Sequence, residues 1–167
     1  MGIGIPLIAL ASMAWGNCED AQVLMVEAEQ AVLEARLDDA NEILGRLVDS
    51  FACGPIASPE LLGQMWITEG VALWFGGDRG GAMESFAAAS REVPDLWREE
   101  YGELLRKQYQ QAAVIENEPG EIKLSPPLDT YWGAVDGRIV HFPIVASGGL
   151  HLVQAGPPGG PAEFGRI

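Results

Sequence analysis

Histidine and cysteine are scarce, with two of each in 167 residues. Two cysteines with no nearby histidine fall short of the four donors of a tetrahedral site, so no metal is expected. Basic residues are few as well. Ten lysines and arginines stand against 24 aspartates and glutamates, for a net charge of −14 and a pI near 4.3. Such a surface repels phosphate backbones and anionic lipid, and nucleic acid is not an expected partner. No apolar run is long enough for a comfortable membrane span. There is no HExxH and no nucleophile elbow. The run Gly76-Gly77-Asp78-Arg79-Gly80-Gly81 lacks the Lys-Ser/Thr and the preceding strand of a phosphate loop, and reads as a turn. His141 and His151 fall on expected strands and not opposite one another, so both read as partly exposed. Glu99, Glu100 and Glu103 lie on a charged helix face, where solvated surface outweighs an acid/base pair. With no catalytic residues and no cofactor expected, the chain reads as non-enzymatic, with a binding or assembly role.

What is present suits a folded chain. Hydrophobic residues make up 48% and charged residues 20%, which argues against bulk disorder. The acidity is uneven. Glu19 to Asp49 carries nine acids against two arginines, whereas from Ile122 onward acids and bases number three each. That shift marks a boundary between an acidic body and a neutral tail. The first sixteen residues, MGIGIPLIALASMAWG, are uncharged and read as a secretory signal, with Ala14-Trp15-Gly16 as the small-x-small site; a retained, buried helix is the alternative. The expected location is therefore secreted, periplasmic or at the cell surface.

Helical patterning fills the body. AQVLMVEAEQAVLEA has a broad apolar face through Val23, Leu24, Val26, Ala28, Ala31, Val32 and Ala35, with Asn17 as a cap and Asp20 reaching back. Arg36-Leu37-Asp38 makes a short turn into DANEILGRLVDSF, with Ala40, Ile43, Leu44, Leu47, Val48 and Phe51 apolar. A turn this short forces an antiparallel pair. Cys18 and Cys53 then meet at the open end of the hairpin. A disulfide there would close a loop of about 35 residues, worth roughly 3–4 kcal/mol. Two free thiols are the alternative. Ser58 caps a third helix with Pro59 at its first position. This helix is apolar nearly all round, through Leu61, Leu62, Met65, Trp66, Ile67, Val71, Leu73, Trp74 and Phe75, which implies burial on more than one side. Asp78 caps a fourth helix that Pro94 stops. Asp95 caps a fifth, on which Leu96, Trp97, Tyr101, Leu104, Leu105 and Tyr109 are expected to face inward.

The stretch from Gly63 to Leu96 resembles a tetratricopeptide repeat. Trp66, Gly70, Gly77, Ala82, Phe86, Ala89 and Pro94 stand at the spacing of the 34-residue unit, while Glu69 replaces the usual Leu and Leu73 the usual Tyr. Residues 21 to 54 fit more weakly, through Leu24, Ala28, Ala40 and Leu44, with eight residues more than the period between the two units. The resemblance implies stacked helical hairpins whose first helices line a groove for a peptide or partner protein, with no attached enzymatic activity. Trp66 and Phe86 read as core. Trp74, Phe75, Trp97 and Tyr101 exceed what one unit needs and form the candidate interaction surface.

After Asn117 the period changes to that of strands. Thr130 to Val135, Arg138 to Val145, Leu150 to Gln154 and Ala162 to Ile167 read as strands, with Asp136-Gly137 as a tight hairpin turn. Asp136-Gly137, Pro143 and Gly149-Leu150-His151 give this part a likeness to the PEGA-type β domain of bacterial envelope proteins. The expected whole is an α+β chain: a signal over 1–16, a tetratricopeptide-like array of about five antiparallel helices over 17–115, a linker over 116–128, and a small antiparallel β module over 129–167 that reads as cut short. Two roles fit. One is a scaffold for protein or peptide in the bacterial envelope or exterior. The other is a structural subunit that joins copies of itself into a filament, since two and a half repeats leave end faces uncovered.

Overall fold

Residues Pro59–Gly76 form the helix that organises the molecule, and their chemistry explains why. Ser58 is the N-cap, its hydroxyl accepting from the Leu61 N–H at 3.2 Å, and Pro59 sits where its missing N–H costs nothing. Ten of the eighteen residues are buried, on every side of the helix. Gly77, at φ +94°, ends it with a left-handed turn that an L side chain resists. A computed structural model describes residues 19–52, 55–114, 119–122, 132–140, 144–156 and 163–166. Cys18 and Cys53 lie outside these residues, as do the expected signal and His141.

Five α-helices come first. They are α1 (Ala21–Leu33), α2 (Leu37–Ser50), α3 (Pro59–Gly76), α4 (Arg79–Glu92) and α5 (Glu103–Ala112). Helix α1 pairs with α2 and α3 with α4, and α3 also touches both helices of the first pair. The core runs through all of them, with Leu24, Met25, Leu47, Leu62, Met65, Trp66 and Phe86 fully covered. Each such side chain contributes about 1.5–3 kcal/mol of burial. Close approach of α3 and α4 depends on Gly70, where an added Cβ would lie 2.5 Å from the Phe86 ring. Trp66, Ala82, Phe86 and Ala89 are all fully buried, and Pro94 stands in the turn after α4.

Two local expectations are corrected. Asp20 is itself the N-cap of α1, accepting from the Gln22 and Val23 N–H groups at 2.8 and 3.4 Å. The fifth helix does not start at Leu96. Leu96–Arg98 is irregular, a single 3-10 turn covers Glu99–Tyr101, and Gly102 at φ +85° resets the chain before α5. The break turns Trp97 and Tyr101 back onto the core, and Leu104, expected inward, is exposed. Val23 and Val26, also expected inward, lie on the outer side of α1.

The β part is an antiparallel sheet in the order β3 (Arg138–Val140), β2 (Trp132–Val135), β5 (Leu152–Gly156), β6 (Glu163–Arg166). A separate two-stranded ladder joins β1 (Pro119–Ile122) to β4 (Ile144–Ser147). An α+β fold, helical array followed by a small antiparallel module, is thus what the chain adopts. The expected long strand from Arg138 to Val145 is two strands in different sheets. Pro143, which has no N–H for a ladder, stands between them in the sequence. Four residues of the expected linker, Pro119–Ile122, are strand. Asp136 and Gly137, at φ +48° and +77°, make the β2–β3 turn with left-handed residues at both corners.

The sheet is seated on the helical body. Leu152 joins the same core as Leu62 and Leu47. Gln154, fully buried, accepts from the Ala57 N–H at 3.0 Å and donates to the Phe51 carbonyl at 3.1 Å, so it satisfies both ends of the segment that joins the two helix pairs. Arg91 donates to the Leu150 carbonyl, and Arg138 pairs with the buried Glu92 carboxylate at 2.7 Å. Gly137 presses on the same segment, where a Cβ would stand 2.3 Å from the Ala57 carbonyl oxygen.

Candidate functional site

A cleft of about 260 Å³ opens between α1, α3 and the irregular segment after α4. Glu29 comes from α1. Gln64, Ile67 and Thr68 come from α3, one turn apart on one face. Leu96, Arg98 and Tyr101 come from the irregular segment. The volume falls just under the range of small-molecule and cofactor sites, and suits a side chain or short peptide segment.

The polar groups of the cleft are paired across it. The Arg98 guanidinium binds the Glu29 carboxylate and lies 3.5 Å from that of Glu100. Glu29 keeps 12% of its side-chain surface and Arg98 keeps 37%. Burial raises the Glu29 pKa above the ordinary carboxylate value, against the pull of Arg98. The Tyr101 hydroxyl shares a 3.2 Å hydrogen bond with Thr68, and burial pushes its pKa up to about 12. Nothing here couples a nucleophile to a base. The cleft can hold a guest by shape, hydrogen bonds and charge.

The four aromatics of the candidate interaction surface do not form one patch. Trp97 packs edge-on against Phe86 and Tyr101 at 6.3 and 5.9 Å, and tilted on Tyr109 at 5.4 Å. Tyr101 is buried and its hydroxyl edges the cleft. Both rings thus anchor the segment that walls the cleft. Trp74 and Phe75 lie at the far end of α3, where Arg79 stacks 4.3 Å over the Trp74 ring and Phe75 is 61% exposed.

No family model, curated protein or solved structure matches this chain. Its chemistry therefore has to be read from its own side chains.

A second polar group sits at the seam between body and sheet. His151, expected to be partly exposed, is buried with its Nδ1 2.6 Å from Asp136 Oδ2. Asp136 also accepts from the Leu152 N–H at 2.9 Å and returns its own N–H to the Leu152 carbonyl. Glu92 lies close enough for the Asp136 charge to add to the effect of burial in raising its pKa. Sequence spacing missed this pair because its partners are fifteen residues apart, joined by the β2–β5 register. The Asp-Gly turn was the only signal. An Asp–His pair can act as a base, but this one is closed to solvent and fastens the turn to β5. Among the described residues no three His, Cys, Asp or Glu side chains gather to hold a metal ion.

Proposed function

We propose that this protein is a non-enzymatic interaction scaffold whose helical array holds a peptide or a segment of a partner protein in the cleft between α1 and α3. One observation carries the reading: α1 and α3, the first helices of consecutive pairs, line one cleft together with the segment after α4, and Arg98 in its wall keeps 37% of its side-chain surface. The tetratricopeptide-like residues and the acidic surface support it. An envelope or exterior location goes with it, from the signal-like first sixteen residues and the PEGA-like tail. To test the site, a phage library of random short peptides is selected on the wild type and on Gln64→Trp, which fills the cleft without changing charge. Peptides enriched on the wild type and lost on the variant are expected. Absence of any saturable binder, or equal binding by the variant, would sink the reading.

A second reading, self-assembly into a filament, has its own observation. The two ends of the array carry exposed apolar residues. Val23, Val26 and Leu33 line the outer face of α1, with Val26 64% exposed, and Leu104 and Val114 stand out at the α5 end. Head-to-tail contact of such faces does not close and grows as a filament. Light scattering after size exclusion decides it. A monomer across a wide concentration range removes this reading, while concentration-dependent growth abolished by Val26→Glu supports it.

A further inference from the structure

The groups around Arg98 say what kind of peptide the cleft takes. Two carboxylates, Glu29 and Glu100, face one guanidinium. The other lining side chains, Gln64, Ile67, Thr68, Leu96 and Tyr101, are neutral. The lining itself is balanced, Glu29 against Arg98, and Glu100, which is not part of it, adds one negative charge beside Arg98. The body around it has the same bias: residues 19–114 hold eighteen acids against seven bases. An incoming carboxylate would have to displace Glu29 and Glu100 from Arg98 and enter that field, so the anionic guest is disfavoured on both counts. An incoming guanidinium meets a largely buried carboxylate that already accepts one guanidinium N–H.

Arg98 itself shows the fit. It comes from the irregular Leu96–Arg98 stretch, outside any α-helix, and its guanidinium reaches Glu29 on α1. It occupies the Glu29 carboxylate as a guest arginine would.

We infer that the cleft is a site for an arginine-bearing basic peptide, with Glu29 as the anchoring carboxylate and Arg98 as a built-in competitor for it. This rests on the peptide-binding reading above. It adds the chemistry of the guest and a restraint on its affinity, because a guest must exchange with Arg98.

The test uses three fluorescent peptides of equal length that differ only in a central Arg, Gln or Glu, titrated by anisotropy into the full chain. The Arg peptide is expected to bind best. Glu29→Gln, which keeps the side chain's volume, should weaken it about tenfold or more, as loss of one charge-assisted contact does. Arg98→Gln should tighten it severalfold by removing the competitor. Glu103→Gln, on the exposed side of α5, should leave it unchanged. Thermal melts confirm that each variant is folded. Equal binding of the Gln peptide, tighter binding of the Glu peptide, or an equal loss in Glu103→Gln would overturn the assignment. If a Gln or Glu peptide binds best and Gln64→Trp blocks it, the cleft is a peptide site with different chemistry. If no peptide binds, the peptide-binding reading falls with this one.

Discussion

Two polar networks in this molecule do opposite things. At the seam, Gln154, Asp136 and His151 are closed off from water; Gln154 and Asp136 hold backbone groups, and Asp136 also holds His151. In the cleft, Glu29, Arg98, Thr68 and Tyr101 are also paired, but Arg98 keeps over a third of its surface and comes from an irregular segment. A buried backbone N–H or carbonyl has no substitute partner if its side-chain mate is removed. A half-exposed guanidinium has water. The seam is built to stay, and the proposed exchange of a guest in the cleft rests on that difference. Burial of the groups and the nature of their partners make the difference.

The comparison breaks most readily at Gly137. Its Cβ would stand 2.3 Å from the Ala57 carbonyl oxygen and 3.1 Å from Pro59, at a φ of +77°. Left-handed geometry alone costs an alanine about 1–2 kcal/mol. The clash with backbone, which cannot swing aside as a side chain does, adds to that. Gly137→Ala is expected to lower unfolding stability by roughly 3 kcal/mol or more and to open the sheet to limited proteolysis before the helices. Denaturant titration measures the first and the order of cleavage the second. A loss below about 1 kcal/mol would mean the sheet is not seated as described.

Gln154→Leu isolates the polar half of the same seam. It keeps volume but strands the Ala57 N–H and the Phe51 carbonyl, both at a buried position. Each stranded group costs about 1–3 kcal/mol, and the apolar replacement returns part of that, so a loss of about 2–3 kcal/mol is expected in the same titration. A neutral result would place water in the seam and erase its contrast with the cleft.

The helical half of this was legible in the sequence because its information is local. Ser58-Pro59, Gly77 and Asp78 mark helix ends by their own chemistry, and the apolar excess of α3 announced burial on several sides. The spacing of Trp66, Gly70, Ala82 and Phe86 located a close contact of α3 with α4. What failed was long-range. Val23 and Val26 are apolar at helical spacing, yet an edge helix has no neighbour on that side, and periodicity cannot see a missing neighbour. Nothing in Asp95-Leu96-Trp97 says that a helix is delayed, because the reason is Gly102 together with the docking of Trp97 on Phe86 and Tyr109. The seam was out of reach because Gln154 meets Phe51 from 103 residues away. Of the cleft, Tyr101 was singled out beforehand as an aromatic in excess of the repeat, and Ile67 and Leu96 as apolar positions of their expected helices. Glu29 and Arg98 carry no local signal, and only the fold brings them together across 69 residues.

Charge sharpens the contrast next. Glu92 at the seam and Glu29 in the cleft both have pKa values raised, in each case first by burial. A carboxyl whose folded pKa lies above its unfolded value stabilises the protein while protonated. That contribution is complete below the ordinary value near 4.5 and is lost as pH rises through the folded value. Glu92→Gln and Glu29→Gln should therefore each gain stability relative to the wild type as pH moves from about 4 to 7. In each case a neighbouring carboxylate adds to burial, Asp136 beside Glu92 and Glu100 beside Glu29. Denaturation at three pH values reads the slope. A gap that shrinks with rising pH would show that Arg138 and Arg98 outweigh burial at these groups.

Tyr101→Phe is the smallest effect and the finest probe of the cleft wall. It removes the hydroxyl that shares a hydrogen bond with Thr68, whose side chain is fully buried. By the logic of the seam this should be costly. Thr68 differs because it sits inside α3, where a threonine hydroxyl can turn to the carbonyl one turn back along its own helix. Its lost partner is thus replaced locally, and the phenylalanine ring keeps the packing against Trp97. The expected loss is about 0.5–1 kcal/mol, the net value of one neutral hydrogen bond. A loss well above that would mean Thr68 has no such alternative. The cleft wall would then be as rigidly specified as the seam.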